Sequence, residues 1–300
     1  MIVRGWVFCY TKSNIQNQSV SLCEGAIRRM NTMKKKHVLA IGAGIVGTVA
    51  VVQLVAAGLL GGIGPLGFLQ KRKMKKKEGN ADVYDFDKIV PLEDSPLKGK
   101  NVCILGSSVV FGAASLENAV GEYLAARTGC NLTKEAVSGT TLTDIGKNSY
   151  VQRLVRKIDA SENFDLFICQ LSTNDASRKL PLGEISPGDN PLDFDTKTVT
   201  GAMEYIISYA QRTWHCPVVF FTGSYYESPQ YAAMVERLKE LQKKWGIGIL
   251  NLWDDKEFNT LTDAQRTLYM NDGVHPTKAG YSRWWGPEQE RQLLEFLSEK

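Results

Sequence analysis

From residue 100 onward the chain alternates short apolar runs with longer stretches in which apolar positions recur every three or four residues. The runs "NVCILG", "FDLFICQL", "PVVFFTG" and "IGILNLW" are rich in β-branched and aromatic residues and read as strands, and a weaker one around "LTKEAVSG" fits between the first two. The intervening periodicity predicts helices over about 115–128, 149–160, 199–214, 229–245 and 277–298. Strands that are apolar throughout and alternate with helices predict a parallel sheet of about five strands covered on both faces, a three-layer α/β/α sandwich. Residues 78–99 then read as a linker into the first strand, and no internal repeat is visible.

Upstream lies a different pattern. "HVLAIGAGIVGTVAVVQLVAAGLLGGIGPLGFLQ" contains no Asp, Glu, Lys or Arg, and Val38–Leu60 alone supplies the roughly 20 apolar residues that span a bilayer core of about 30 Å. One transmembrane helix is expected here, acting as a signal anchor. The organisation is a tail with a basic flank (1–36), the anchor (37–69), a basic juxtamembrane segment and linker (70–99), and a folded domain (100–300). Gly42, Gly44 and Gly47 also spell G-x-G-x-x-G, the turn of a dinucleotide site. That site needs an acidic residue about 20 positions later, where this chain has "GGIGPLG" and then "KRKMKKK", so no cofactor is expected.

Orientation is less determined. Arg28, Arg29 and Lys34–Lys36 precede the span, and Lys71, Arg72, Lys73 and Lys75–Lys77 follow it, a near balance of positive flanks. The "MKKKH" from Met33 is like the basic start of a signal segment, which favours an uncleaved anchor with the domain outside the cytoplasm. The tract "KRKMKKKEGN" reads as a solvated charge run beside the membrane.

With 300 residues, 43% hydrophobic and 23% charged, the chain has material for one large globular domain plus an extra segment. The net charge of +4 misleads. Residues 1–77 hold 13 basic residues against Glu24 alone, leaving 23 basic and 31 acidic residues beyond them. A domain this acidic repels a phosphate backbone, so nucleic acid is not an expected partner. The six cysteines are irregularly spaced with no C-x-x-C, and Cys103 and Cys169 sit inside apolar runs, so neither a metal site nor a redox pair is suggested.

Open parallel sheets bind their ligands beyond the carboxyl ends of the strands. There the chain places "GSSVVFG", "SGTT", "STND" and, after the last strand, "NDGVHPTKAGY". Each is also ordinary loop chemistry. Together they hold what acyl transfer requires: a serine, a histidine to take its proton, and a carboxylate to orient the histidine. Of three histidines, His37 abuts the apolar span and His215 precedes the fourth strand, at the opposite edge, which leaves His275 with its neighbour Asp272.

These segments, in this order, resemble the blocks of the SGNH hydrolases, also called GDSL esterases and lipases, over roughly residues 100–298. The resemblance implies a flavodoxin-like sheet and a serine esterase without cofactor. Carried over by position, it makes Ser108 in "ILGSSVVFG" the nucleophile, and Asp272 and His275 in "DGVH" its acid and base partners. The oxyanion donors would be the backbone N–H groups of Ser108 and of Gly139 in "AVSGTT", with the side chain of Asn174 in "LSTND". Two positions depart from the family pattern: Ser107 replaces the aspartate of G-D-S, and Ser172 replaces the glycine of G-x-N-D, a strain if that position needs a positive φ.

The expected reaction is hydrolysis of a small-molecule or carbohydrate ester, acetyl esters among them. A membrane-tethered O-acyltransferase and an inactive binding module are the alternatives. The insertion "RKLPLGEISPGDNPLDFD" is expected to border the cleft, and its acidic residues suggest a polar substrate. Phe111, Tyr225, Tyr226, Trp284 and Trp285 are candidate lining residues, with core packing the competing role for the Trp pair.

Overall fold

A computed structural model describes residues 65–299. The expected anchor, apart from its last residues, and the tail before it lie outside the described residues, and among those described no helix is long and apolar enough to cross a membrane. The described chain opens with helix α1 (Pro65–Lys75). Five parallel strands follow, β1 (Asn101–Gly106), β2 (Asn131–Ala136), β3 (Leu166–Gln170), β4 (Val218–Phe221) and β5 (Gly248–Leu250), in the spatial order β2-β1-β3-β4-β5. This is the predicted flavodoxin-like sheet.

Period-two alternation along β1, β3 and β4 feeds two cores. Cys103, Phe167 and Phe220 point to one face, where they pack with Leu154, Met203, Ile206, Met234 and Leu238. Ile104, Ile168 and Phe221 point to the other, against Val120, Leu124, Trp285 and Leu293. The first layer is built from α4 (Tyr150–Lys157), α6 (Val199–Trp214) and α7 (Pro229–Trp245), and the second from α3 (Val120–Thr128) and α10 (Gly286–Ser298). Cys103, Cys130, Cys169 and Cys216 are free and buried, and burial pushes the Cys103 and Cys169 thiols well up, so they pack as small apolar groups. Cys9 and Cys23 lie outside the described residues.

The helices at 199–214 and 229–245 match their predicted bounds. The one expected from 115 starts only at Val120, because Leu116 (φ 58°) and Glu117 (φ 71°) are left-handed and break the first turn. The helix expected over 149–160 stops at Lys157. The one expected over 277–298 contains a π-helical turn, Tyr281–Trp285, between α9 (Lys278–Gly280) and α10. Three short helices follow carboxyl ends of strands and were not predicted: α2 (Ser108–Phe111), α5 (Thr173–Ser177) and α8 (Asp263–Tyr269). Residues 78–99, expected as a linker, form three 3-10 turns and pack onto the domain, with Phe86 and Leu97 buried and Phe86 edge-on to Tyr123.

Candidate active site

Register fixes where the loops emerge. Gly106 sits across from Ala136, Leu105 from Cys169, and Gln170 from Phe221, so the chain leaves β1 through β4 at one level of the sheet. At the end of β1 it turns directly into α2. A Cβ on Gly106 would lie 2.2 Å from Val110 Cγ2, so this close turn requires glycine. Ser107 is fully buried and donates through its N–H (2.9 Å) and hydroxyl (3.3 Å) to Gln170 Oε1. Ser108 follows as the first residue of α2, so its own N–H has no intrahelical acceptor.

The Ser108 Oγ lies 2.7 Å from His275 Nε2, and His275 Nδ1 lies 2.9 Å from both Asp272 carboxylate oxygens. With Asp272 ionised, Nδ1–H donates to the carboxylate, which leaves Nε2 to accept the serine hydroxyl. The loop that carries the pair is closed by a bridge between Met270 and Pro276 and by the Asn271 N–H on the His275 carbonyl (2.8 Å). Asp272 Oδ1 accepts the N–H groups of Val274 and His275 at 2.9 Å each, and Oδ2 accepts the Asn271 side-chain amide at 2.8 Å. Burial works to raise the Asp272 carboxyl. The hydrogen bond and charge of His275, with the two backbone donors, outweigh it and hold the group well below the usual carboxylate range.

Gly139 has φ +77°, and a Cβ there would meet nothing within 4 Å. Glycine is required by backbone conformation rather than by space. Among the described residues its N–H has no protein acceptor, whereas its carbonyl accepts Arg178 Nη2 at 2.8 Å. Asn174, on α5, donates one amide hydrogen to the Thr140 carbonyl at 2.9 Å, which puts its side chain beside the Gly139 loop with a second hydrogen to give. Ser172 has φ −76° and caps α5 through its hydroxyl, which accepts the N–H groups of Asn174 and Asp175. The feared strain at this position is therefore absent.

Three residues that sequence reasoning missed hold these loops. The fully buried Asp175 carboxylate accepts the N–H groups of Leu142 (2.8 Å) and Thr143 (3.1 Å) and ties the Gly139 loop to α5. Burial pushes this carboxyl up, opposed by the Ser172 hydroxyl and the same two N–H groups. Arg153, 2% exposed on α4, donates to the carbonyls of Gly106 (2.8 Å), Glu135 (3.1 Å) and Asn148 (3.0 Å), to Glu135 Oε1 (3.1 Å) and to Thr140 Oγ1 (3.1 Å). Gln170 gathers Ser107 and the Tyr150 hydroxyl on one oxygen. A signal existed for each: a polar residue ending an apolar strand, the last letter of "STND", and an arginine among the apolar positions of a helix.

Other candidates fall elsewhere. His215 caps the far end of α6, at the opposite edge of the sheet. Trp285 is fully buried in the core, and Trp284 stacks on Phe258 at 4.8 Å, so packing is the role of both. Tyr226 packs on Tyr231 and Trp253, and Phe111 is half-buried. Tyr225 is 56% exposed, packs on Trp253 at 5.0 Å, and with Asp254, Lys256 and Asn259 lines a cleft of about 400 Å³ beyond the ends of β4 and β5. The insertion 178–195 begins beside the Gly139 loop, where Arg178 meets the Gly139 carbonyl. Beyond Arg178 its course is set by Arg237 on the Gly183 carbonyl, Lys244 on those of Ser186 and Gly188, and Arg212 on Asp189, all on α6 and α7.

The sequence model of the GDSL-like lipase/acylhydrolase family matches residues 104–283. The chain belongs to this family. Membership makes it a serine hydrolase of ester bonds. Among solved structures, a protein from Lactobacillus plantarum is 21% identical over 67% of this chain and 98% of its own, with a TM-score of 0.54. A protein from Bacteroides ovatus, inferred to be a GDSL-like lipase, is 16% identical over 68% of this chain and 100% of its own, with a TM-score of 0.50. One from Desulfitobacterium hafniense, inferred to be a lipolytic protein of the G-D-S-L family, is 17% identical over 65% and 99%, also at 0.50. At such identities the likeness speaks for the fold of this GDSL-family chain. No curated protein matches it.

Proposed function

We propose that the protein is a membrane-tethered serine esterase in which Ser108 is the nucleophile, His275 the general base and acid, and Asp272 the group that orients His275. The observation that carries this reading is the unbroken contact from the Ser108 hydroxyl through both imidazole nitrogens to the Asp272 carboxylate. In the reaction, Ser108 Oγ attacks the ester carbonyl carbon as its proton passes to His275 Nε2. The N–H groups of Ser108 and Gly139 and the free amide hydrogen of Asn174 receive the charge that develops on the carbonyl oxygen. Collapse expels the alcohol, which takes the proton from His275. Water then adds to the acyl-enzyme by the same steps and releases the acid.

Acetyl esters of carbohydrates are the proposed substrates. Tyr225 supports this by offering an exposed aromatic face of the kind on which sugar rings stack, beyond the ends of β4 and β5. The charge-free run Val38–Leu60 supports the tether, with the domain outside the cytoplasm. Labelling with a fluorophosphonate tests the chemistry: wild type is expected to label and S108A not to. Labelling of S108A at the wild-type rate would refute the assignment. Hydrolysis of p-nitrophenyl esters of increasing chain length, beside acetylated glycans, tests the substrate, and a preference for long acyl chains would overturn the carbohydrate acetyl ester.

A further inference from the structure

The basic tract ending in "KEGN" is absorbed neither by the reaction nor by the tether. We propose that the segment Glu78–Lys88, through Asn80, is a positioning element that holds the Ser108 turn and the His275 loop in register; this rests on the assignment of that pair above.

Asn80 is 2% exposed, and both its amide hydrogens and its amide oxygen are hydrogen-bonded. Its Nδ2 donates to the carbonyls of Met74 (3.0 Å) and Ala114 (2.8 Å), and its Oδ1 accepts the N–H of Lys278 (2.9 Å). The two ends of one side chain thus reach the two halves of the site. Ala114 lies in the turn that closes α2, where the Ser108 carbonyl accepts the N–H groups of Gly112 and Ala113 at 3.0 Å each. Lys278 lies three residues past His275, at the foot of the loop that carries it. Neighbours in the segment grip the same foot. A Cβ on Gly79 would fall 2.0 Å from the Leu268 carbonyl oxygen and 2.5 Å from Thr277 Oγ1, so the backbone is pressed against the base of the His275 loop. Thr277 is itself bonded to the carbonyls of Leu268 (2.7 Å) and Tyr269 (2.8 Å from its N–H). Lys278 Nζ pairs with the Asp85 carboxylate, and Lys77 Nζ reaches the Asn271 carbonyl at 3.4 Å.

The chemistry explains why the residue is an asparagine. Two carbonyls and one N–H converge on it, which demands two donors and one acceptor; an aspartate would set an oxygen against both carbonyls. The segment also lies wholly outside residues 104–283, the part that the family model matches. A proton transfer over 2.7 Å between groups on separate loops is sensitive to small drifts, and misplacement by about 1 Å costs on the order of a hundredfold in rate.

The test uses the full-length protein with p-nitrophenyl acetate, comparing wild type with N80A, N80D, S108A and T128A. Thr128 is buried at the carboxyl end of α3, where its hydroxyl bonds the Leu124 carbonyl (2.7 Å) and meets the Cys130 thiol, so T128A reports simple destabilisation. Below each variant's melting temperature, N80A and N80D are expected to lose roughly tenfold or more in kcat with KM within about twofold, while T128A keeps its kcat. The acidic limb of the kcat/KM profile should also shift in the Asn80 variants and not in T128A. Wild-type kcat in N80A and N80D would overturn the proposal, as would an equal loss in T128A. Failure of both Asn80 variants to fold would assign the residue to stability alone and overturn it too. An active S108A would instead overturn the nucleophile assignment, whereas an inert S108A beside unaffected Asn80 variants would sink only the bracing.

Discussion

At Asp272 the pH dependence of the site can be read from its contacts. The folded protein holds this carboxyl well below the usual range, near 3.9 in a free chain, so ionised Asp272 contributes stability at neutral pH. That contribution is present above the unfolded value and is lost as pH falls toward the folded one. D272N should therefore be less stable than wild type at pH 7, with the gap closing toward pH 2, as urea unfolding at stepped pH values would record. For Asn174, loss of one oxyanion donor is expected to lower kcat of N174A by about a hundredfold or more, read by steady-state kinetics with KM nearly unchanged. The hydroxyl of Ser172 gives a stability prediction: S172A should cost about 1 kcal/mol in denaturant unfolding as the cap of α5 is lost. These residues were legible because short motifs declare them. "DGVH" puts the carboxylate within reach of its own histidine through one turn, and "STND" sets a capping residue before the helix that carries the amide. The pairings of Asn80, Arg153 and Asp175 were not, although the last two stand out by residue type, because their partners lie 18 to 198 residues away for the bonds that matter and no local pattern encodes such pairings.

Elements were legible in proportion to their length. Four of the five strands are apolar runs bounded by turn residues, β2 being the weaker exception, and α6 and α7, at 16 and 17 residues, span enough turns for their period to show. α2, α5 and α8, with 4, 5 and 7 residues, do not. Yet the first two present Ser108 and Asn174, so the pieces nearest the chemistry were the ones periodicity missed. The late start of α3 has its cause in the turn before it. Gly112 (φ 80°) closes so tightly on the Glu117 backbone that an added Cβ would come within 2.9 Å of it, and this fold holds Leu116 and Glu117 left-handed. Between elements, Arg153 is the main joint, bonding the ends of β1 and β2 and the loop after β2. R153M would leave Glu135 and several carbonyls without their donor. A loss on the order of 3 kcal/mol in unfolding free energy is expected, with a fall in kcat because the Gly139 loop is no longer held to Gly106.

For the whole molecule, the open matter is where the folded unit begins. Composition alone sets the boundary near residue 100, where the first strand starts and the charge balance has already turned acidic. The packing argues for an earlier start. Phe86 and Leu97 are 7% and 4% exposed in the core that also holds Val102 and Tyr123, and burial of such side chains is worth about 1.5–3 kcal/mol each. Asn80 and Gly79 then tie the same stretch to the loop that carries His275. A chain begun at residue 65 keeps all of these contacts and discards the tail and all but the last residues of the proposed anchor. It is expected to leave the membrane fraction, to melt cooperatively and to hydrolyse p-nitrophenyl acetate with the kcat of the full-length protein. A chain begun at residue 100 loses three buried apolar side chains, Met74, Phe86 and Leu97, and the Asn80 bracing together. It should unfold at lower denaturant by several kcal/mol and turn over more slowly even where it is folded. Equal stability and kcat in the two truncated chains would show that residues 65–99 only connect the tether to the enzyme. A chain from residue 65 that still sediments with membranes would place the attachment somewhere other than the apolar run.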